Sequence, residues 1–180
     1  HGVTGSGKTE IYINAVKNCV SQGKSAIVLL PEISLTPQIA GKFRSVFGGI
    51  VALWHSKMTK KQKWITWNKI FKNKYKIVIG ARSAVFSPLN NLGLIVVDEE
   101  QESSFYQGDP SPRYNARDVA LVRGKKTNAL VLLSSATPSL ETYYNYLNKK
   151  IKYLSLSKRF GNAKQPEVHL VDMVSEQNET

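Results

Sequence analysis

The sequence predicts an α/β fold with a mostly parallel sheet and helices on both faces. Three observations lead there. The runs Ser25–Leu30, Ile50–Trp54, Ile77–Gly80, Leu94–Asp98 and Leu130–Ser134 are nearly continuous in Ile, Val and Leu, as strands covered on both faces should be. Segments with helical spacing and capping residues alternate with them, the pattern of a parallel sheet. A glycine-rich octapeptide opens the first helix.

In chain order, Thr9–Val20 reads as a helix that stops at Gly23, a good C-terminal stop. After the strand Ser25–Leu30, Thr36 is placed to cap a helix with Pro37 at its first position that ends before Gly48-Gly49. Beyond the strand Ile50–Trp54, Thr59 and Gln62 have the spacing of a capping box for a helix to about residue 73. Trp64, Trp67, Ile70 and Phe71 recur along it at helical spacing and read as its core face. Strands at 77–80 and 94–98 follow. Residues 102–114 form a polar loop carrying Phe105, Tyr106 and Tyr114. Asn115 is placed to cap a helix through Val122, and Thr137, followed by Pro138, to cap another. Residues 1–156 thus form the body, with its first strand expected upstream of residue 1. Residues 157–180 read as a linker with a possible strand at Val168–Asp172, leading towards a second lobe.

At 180 residues the chain is long enough for one domain with a substantial core. No apolar run reaches the roughly 20 residues of a membrane helix. Cys19 is alone, which excludes an intramolecular disulfide and a cysteine zinc cluster within this sequence. It reads as a buried, reduced thiol of a cytosolic protein. Lys and Arg number 25 against 13 Asp and Glu, a net charge of +12, which points to a polyanionic partner, nucleic acid first. The lysines cluster from Lys57 to Lys76, a stretch with no acidic residue and with Trp64, Trp67, Phe71 and Tyr75 interleaved. A solvated helix face accounts for them equally well.

Gly2-Val3-Thr4-Gly5-Ser6-Gly7-Lys8-Thr9 fits G-x-x-x-x-G-K-[ST]. Its glycines let successive backbone N–H groups face phosphate oxygens, with the positive end of the next helix aimed at the same anion. Lys8 is expected to reach the β- and γ-phosphates of ATP and Thr9 to ligate Mg²⁺. Asp98-Glu99-Glu100-Gln101 follows a buried strand. Asp98 suits a second contact to Mg²⁺ and Glu99 suits orientation and deprotonation of an attacking water. Ser135-Ala136-Thr137 follows another strand, where small hydroxyls can sense the γ-phosphate; Thr137 also reads as a helix cap.

In the order GxxxxGKT, DEEx, SAT, these motifs resemble the first motor lobe of superfamily 2 helicases. The match is closer still to the bacterial primosomal replication-restart helicases of the PriA type. GVTGSGKTE at 2–10, PEISLTPQ at 31–38, residues 77–100, RYNARDVA at 113–120 and SSATPSLET at 134–142 carry the similarity, over about three-quarters of the chain. The resemblance implies a RecA-like P-loop NTPase lobe in a cytoplasmic, bacterial, ATP-dependent DNA helicase. It further implies 3′-to-5′ translocation on single-stranded DNA, a preference for forks, and primosome or single-strand-binding proteins as partners. Zinc is expected only in a cysteine-rich module outside this sequence. Phe105, Tyr106 and Tyr114, with Arg113, would form a loop coupling DNA to hydrolysis; the same aromatics would serve equally as core anchors. Ser34, Thr36 and Arg82 would contact the DNA backbone. The family's usual His in the fourth position of the DEEx motif is here Gln101, which donates and accepts hydrogen bonds but carries no charge. Another superfamily 2 translocase, a P-loop phosphotransferase and a non-catalytic nucleic-acid-binding module are the competing readings.

Overall fold

The computed structural model describes residues 1–34 and 37–159, with the backbone alone at Ile33. The Thr36 cap, the Thr36 DNA contact and the strand at 168–172 lie outside the described residues.

A parallel sheet is built from β1 (Ser25–Leu29), β2 (Val51–Trp54), β3 (Ile77–Gly80), β4 (Leu92–Asp98) and a last strand, Leu130–Ser134, in the order β2-β3-β1-β4-last. A two-residue antiparallel pair, β5 (Tyr106–Gln107) with β6 (Tyr114–Asn115), interrupts the chain before that last strand, which is therefore β7. Helix α1 (Lys8–Ser21) precedes β1, helices α2 (Pro37–Phe47), α3 (Lys60–Phe71) and α4 (Ala116–Thr127) lie between strands, and α5 (Leu140–Leu147) follows β7.

Strand alternation divides the core in two. On one face Ala26, Val28 and Leu30 join Ile77, Ile79, Leu94 and Val96 under Tyr12, Ile13, Val16 and Phe43 of α1 and α2. On the other, Ile27 and Leu29 join Val78, Ile95 and Val97 under Ile70 of α3 and Ala116 and Ala120 of α4. Strands with partners on both faces have no need of polar alternation, and β1 is buried at every position.

Local signals hold where cap chemistry decides. The Thr59–Gln62 capping box forms in both directions, at 3.2 and 2.8 Å, and Asn115 Oδ1 accepts from Arg117 N at 2.9 Å. Three expectations are corrected. The α4 helix runs to Thr127, because Asn128 closes it in the left-handed conformation. Ser139, not Thr137, caps α5, since Ser135 Oγ already takes the Thr137 N–H at 2.8 Å. On α3 only Ile70 is buried. Trp67 leans on Trp54 with ring centroids 5.6 Å apart, while Trp64 is 69% exposed and Phe71 faces solvent. The α3 helix covers the edge strand β2, so only a narrow strip of it finds a partner.

Candidate nucleotide site and the aromatic loop

The sheet brings residues about 90 positions apart in sequence to one place. Gly2 enters the glycine loop by donating its N–H to Ser135 O at 3.0 Å, at the carboxyl end of β7, and pairs in parallel with Leu156. A Cβ on Gly2 would meet Ser6 Oγ at 2.6 Å, so a side chain here would force Ser6 to shift. Gly5 and Gly7 take φ of 77° and 85°, conformations open to glycine that turn successive N–H groups inward. Residues Thr4, Gly5, Ser6, Gly7, Lys8 and Thr9, with Glu10, Lys42, Asp98 and Glu99, line a cavity of about 530 Å³. Glu10 and Lys42 form an ion pair at its edge.

Asp98 ends β4 opposite Ser134 of β7. Its Oδ1 accepts from Ser134 Oγ at 2.8 Å and its Oδ2 from the Tyr12 hydroxyl at 3.3 Å. The same hydroxyl donates to Thr9 Oγ1 at 3.2 Å. Tyr12 therefore joins the two oxygen ligands expected for Mg²⁺. The sequence hid this role, because Tyr12 sits at an apolar position of α1; its spacing of three from Thr9, one helical turn, was the available signal. Burial, with the Asp98 charge adding to it, raises the Tyr12 phenol well above its ordinary pKa and keeps it a donor. Burial likewise raises Asp98, opposed by the bond from Ser134.

Glu99 holds φ of 49°, a left-handed conformation that costs a non-glycine residue on the order of 1–3 kcal/mol. The turn aims its carboxylate back towards the glycine loop, 3.8 Å from Lys8 Nζ. The Lys8 side chain is 14% exposed and its Nζ donates to Gly2 O at 2.7 Å, because the loop carbonyl and Glu99 are the nearest acceptors. Gln101 links two motifs: its Nε2 donates to Glu99 Oε2 at 3.1 Å and its Oε1 accepts from Ser135 Oγ at 2.6 Å. The Thr137 side chain is exposed and joins this chain through its N–H alone.

The residue types fit Mg-ATP. Ser6 Oγ is buried beside the cavity without a hydrogen-bond partner. The backbone nest and Lys8 suit phosphate, and the Thr9 hydroxyl with the Asp98 carboxylate is an oxygen set suited to Mg²⁺.

The loop after this motif divides the expected DNA residues. Arg82 donates from Nη1 to Tyr106 O at 2.7 Å and lies 5.9 Å from the Tyr114 ring centroid. Tyr114 packs against Phe86 at 5.1 Å. Tyr106 is 55% exposed and Arg113 is exposed. Phe105 is 1% exposed, which corrects its placement as a base-stacking residue: it is the loop's anchor, filling core space beside Ala116 and Ala120. Ser34 is half-buried in a short turn, its N–H donating to Pro31 O at 2.9 Å.

Residues 1–146 match the DEAD/DEAH box helicase family. The chain belongs to that family. This helicase lobe is similar to Replication restart protein PriA of Bacillus subtilis (strain 168), at 48% identity over 176 residues, 98% of this chain and 22% of that protein. It is also similar to Replication restart protein PriA of Rickettsia prowazekii (strain Madrid E), at 46% identity over 97% of this chain and 27% of that protein. The lobe thus spans about a quarter of the length of the PriA relatives it matches. RecG bound to a three-way DNA junction shares the fold with a TM-score of 0.64 at 21% identity, over 99% of this chain and 23% of that chain. The Pyrococcus furiosus Hef helicase domain does so at 0.60 and 20%, over 88% of this chain and 34% of that chain. The fold is accordingly RecA-like. Among the described residues no helix is long and apolar enough to cross a membrane.

Proposed function

We propose that this chain is the first motor lobe, residues 1–156, of a replication-restart DNA helicase, with 157–180 leading to a second lobe. It binds Mg-ATP and couples hydrolysis to 3′-to-5′ movement on single-stranded DNA at forks, in the bacterial cytoplasm and alongside primosome or single-strand-binding proteins. The observation that carries this reading is the convergence of Lys8, Thr9, Asp98 and Glu99 on one cavity, joined through Gln101 to Ser135.

Lys8 and the loop N–H groups would hold the phosphates, and Thr9 and Asp98 would hold Mg²⁺, which when bound would supply neutralisation of phosphate charge. Glu99 takes the proton of the attacking water. Its hydrogen bond from Gln101 orients the carboxylate, so a displacement of Ser135 repositions the base. An arginine from a second lobe would complete the site, so hydrolysis by residues 1–180 alone is expected to be slow. Arg82, Tyr106, Arg113 and Tyr114 are the proposed DNA contacts, and Ser34 and Thr36 are proposed with them.

The test is hydrolysis by the intact protein with and without single-stranded DNA, for the natural sequence and for Glu99→Gln. General-base catalysis is worth about 10²–10⁴-fold, so the variant should retain Mg-ATP binding and lose turnover by that order. Near-normal turnover in Glu99→Gln at saturating DNA moves the base elsewhere. Absence of any DNA stimulation of the natural protein removes the translocase reading.

A further inference from the structure

Glu100 follows the proposed base directly, yet it faces away from the nucleotide cavity. Its side chain is 1% exposed and fully engaged. Oε1 accepts from Ser139 N at 2.8 Å, and Oε2 accepts from Ser139 Oγ at 3.1 Å, Thr142 Oγ1 at 3.0 Å and Arg117 Nη1 at 3.1 Å. Arg117 also donates from Nη1 to Ser139 Oγ at 2.6 Å and from Nε to Asp118 at 3.1 Å. Nothing in the nucleotide chemistry requires this cluster, and a fold can be held with apolar packing in place of a buried ion pair.

Its position gives it a use. Arg117 stands in the first turn of α4, where the aromatic loop re-enters the body. Ser139 and Thr142 stand at the start of α5, a few residues past Ser135. Glu100 N donates to Ser134 O at 3.1 Å, while Glu102 N, at the loop's departure, donates to Glu99 O at 2.9 Å. The loop's departing end is thus tied to the backbone of Glu99, and its returning end is tied through Arg117 to the side chain of Glu100. A guanidinium presents its donors in a rigid planar fork, so a rotation of α4 is passed to Glu100 and to the start of α5 together rather than absorbed by a flexible side chain.

We propose that the buried Glu100–Arg117 pair is a positioning pair that carries movement of the aromatic loop to Glu99 and Ser135, and so sets how strongly DNA stimulates hydrolysis. This rests on the reading of the lobe as a DNA-stimulated ATPase. Neither residue lines the nucleotide cavity, and both are buried. Its loss therefore weakens communication between the two sites and leaves each site's own affinity in place.

The experiment titrates single-stranded oligothymidylate against ATP hydrolysis by the intact protein, comparing the natural sequence with Arg117→Lys and Thr142→Val. Arg117→Lys keeps the charge and loses the fork; Thr142→Val removes one bond to Glu100 and leaves the ion pair. Coupling between sites is commonly worth about 5–150-fold, so Arg117→Lys should lower maximal stimulation by about five-fold or more. Basal rate, KM for ATP and the half-saturating oligonucleotide concentration should stay within about two-fold of the natural protein, below the lower edge of that range. Thr142→Val should move the same quantity in the same direction by less, and it decides the matter alone if Arg117→Lys does not fold. Unchanged maximal stimulation in the folded variants overturns the proposal. So does a parallel loss of basal and stimulated rates with a lowered melting temperature, which marks a merely structural pair. A raised half-saturating concentration also overturns it, by making Arg117 a DNA contact. If the natural protein is not stimulated at all, the underlying reading fails instead.

Discussion

Phe105 and Tyr106 are adjacent in sequence and opposite in environment, so their alanine variants should behave in opposite ways. Phe105 is 1% exposed and packs in the core beneath α4, whereas Tyr106 is 55% exposed and is held by Arg82 through its backbone carbonyl. Phe105→Ala removes a fully buried ring and leaves a cavity, a change worth about 3–5 kcal/mol. Against a total stability of about 5–15 kcal/mol, that is a large fraction. For a domain of this size each kcal/mol moves the melting temperature by about 2–4 °C, giving a drop of about 6–20 °C. Tyr106→Ala removes a mostly solvated ring and keeps the carbonyl that Arg82 grips. Its stability change should stay within about 0.5 kcal/mol, while single-stranded DNA affinity falls by the roughly 1–3 kcal/mol of one lost base stack. Calorimetry of the intact protein, with hydrogen exchange read at β4 and α4, measures the first quantity. Fluorescence anisotropy of a labelled oligonucleotide measures the second. A Phe105→Ala protein that melts where the natural one does, or a Tyr106→Ala protein that loses stability and DNA affinity together, would refute the division of the loop into anchor and contact.

Three further outcomes are expected. Lys8→Ala should abolish Mg-ATP binding in an isothermal titration at little cost in stability, since its bond to Gly2 O is an intraloop contact; unchanged affinity in the folded variant contradicts the site. Burial raises the pKa of Asp98 above its unfolded value of 3.8, so in metal-free protein the ionised carboxylate opposes folding. Its contribution improves as pH falls through the folded pKa and levels off below 3.8. Asp98→Asn should therefore raise the melting temperature at neutral pH in the presence of a chelator while eliminating Mg²⁺-dependent hydrolysis, and a lowered melting temperature would show that the charge is stabilised in place. Gln101→Ala should leave nucleotide affinity intact and reduce turnover by about ten-fold, less than the roughly 10²–10⁴-fold that the base itself is worth, because Glu99 loses its orienting bond but stays in place; rates equal to the natural protein would show that the bridge to Ser135 is idle.

The sequence by itself determined what depends on local chemistry. The glycine octapeptide specifies the tight turn before α1 because glycine takes the positive φ values found at Gly5 and Gly7 without strain. The Thr59–Gln62 box and the Asn115 cap form as their spacing requires, and continuous Ile, Val and Leu in β1 and β4 specify strands covered on both faces. Tertiary structure alone decided what depends on which residues meet across the sheet. Helical spacing on α3 marked a core face, but an edge strand offers only a strip of contact, so Trp64 and Phe71 stay in solvent. Phe105 and Tyr106 are equally aromatic, and only the packing of α4 over β4 buries one and exposes the other. Tyr12 between Thr9 and Asp98, Gln101 between Glu99 and Ser135, and Glu100 against Arg117 are contacts between segments far apart in the chain or around a strained turn. Periodicity and capping record what a residue does to its own neighbourhood within about four positions, whereas these partners are chosen by the order of strands in the sheet.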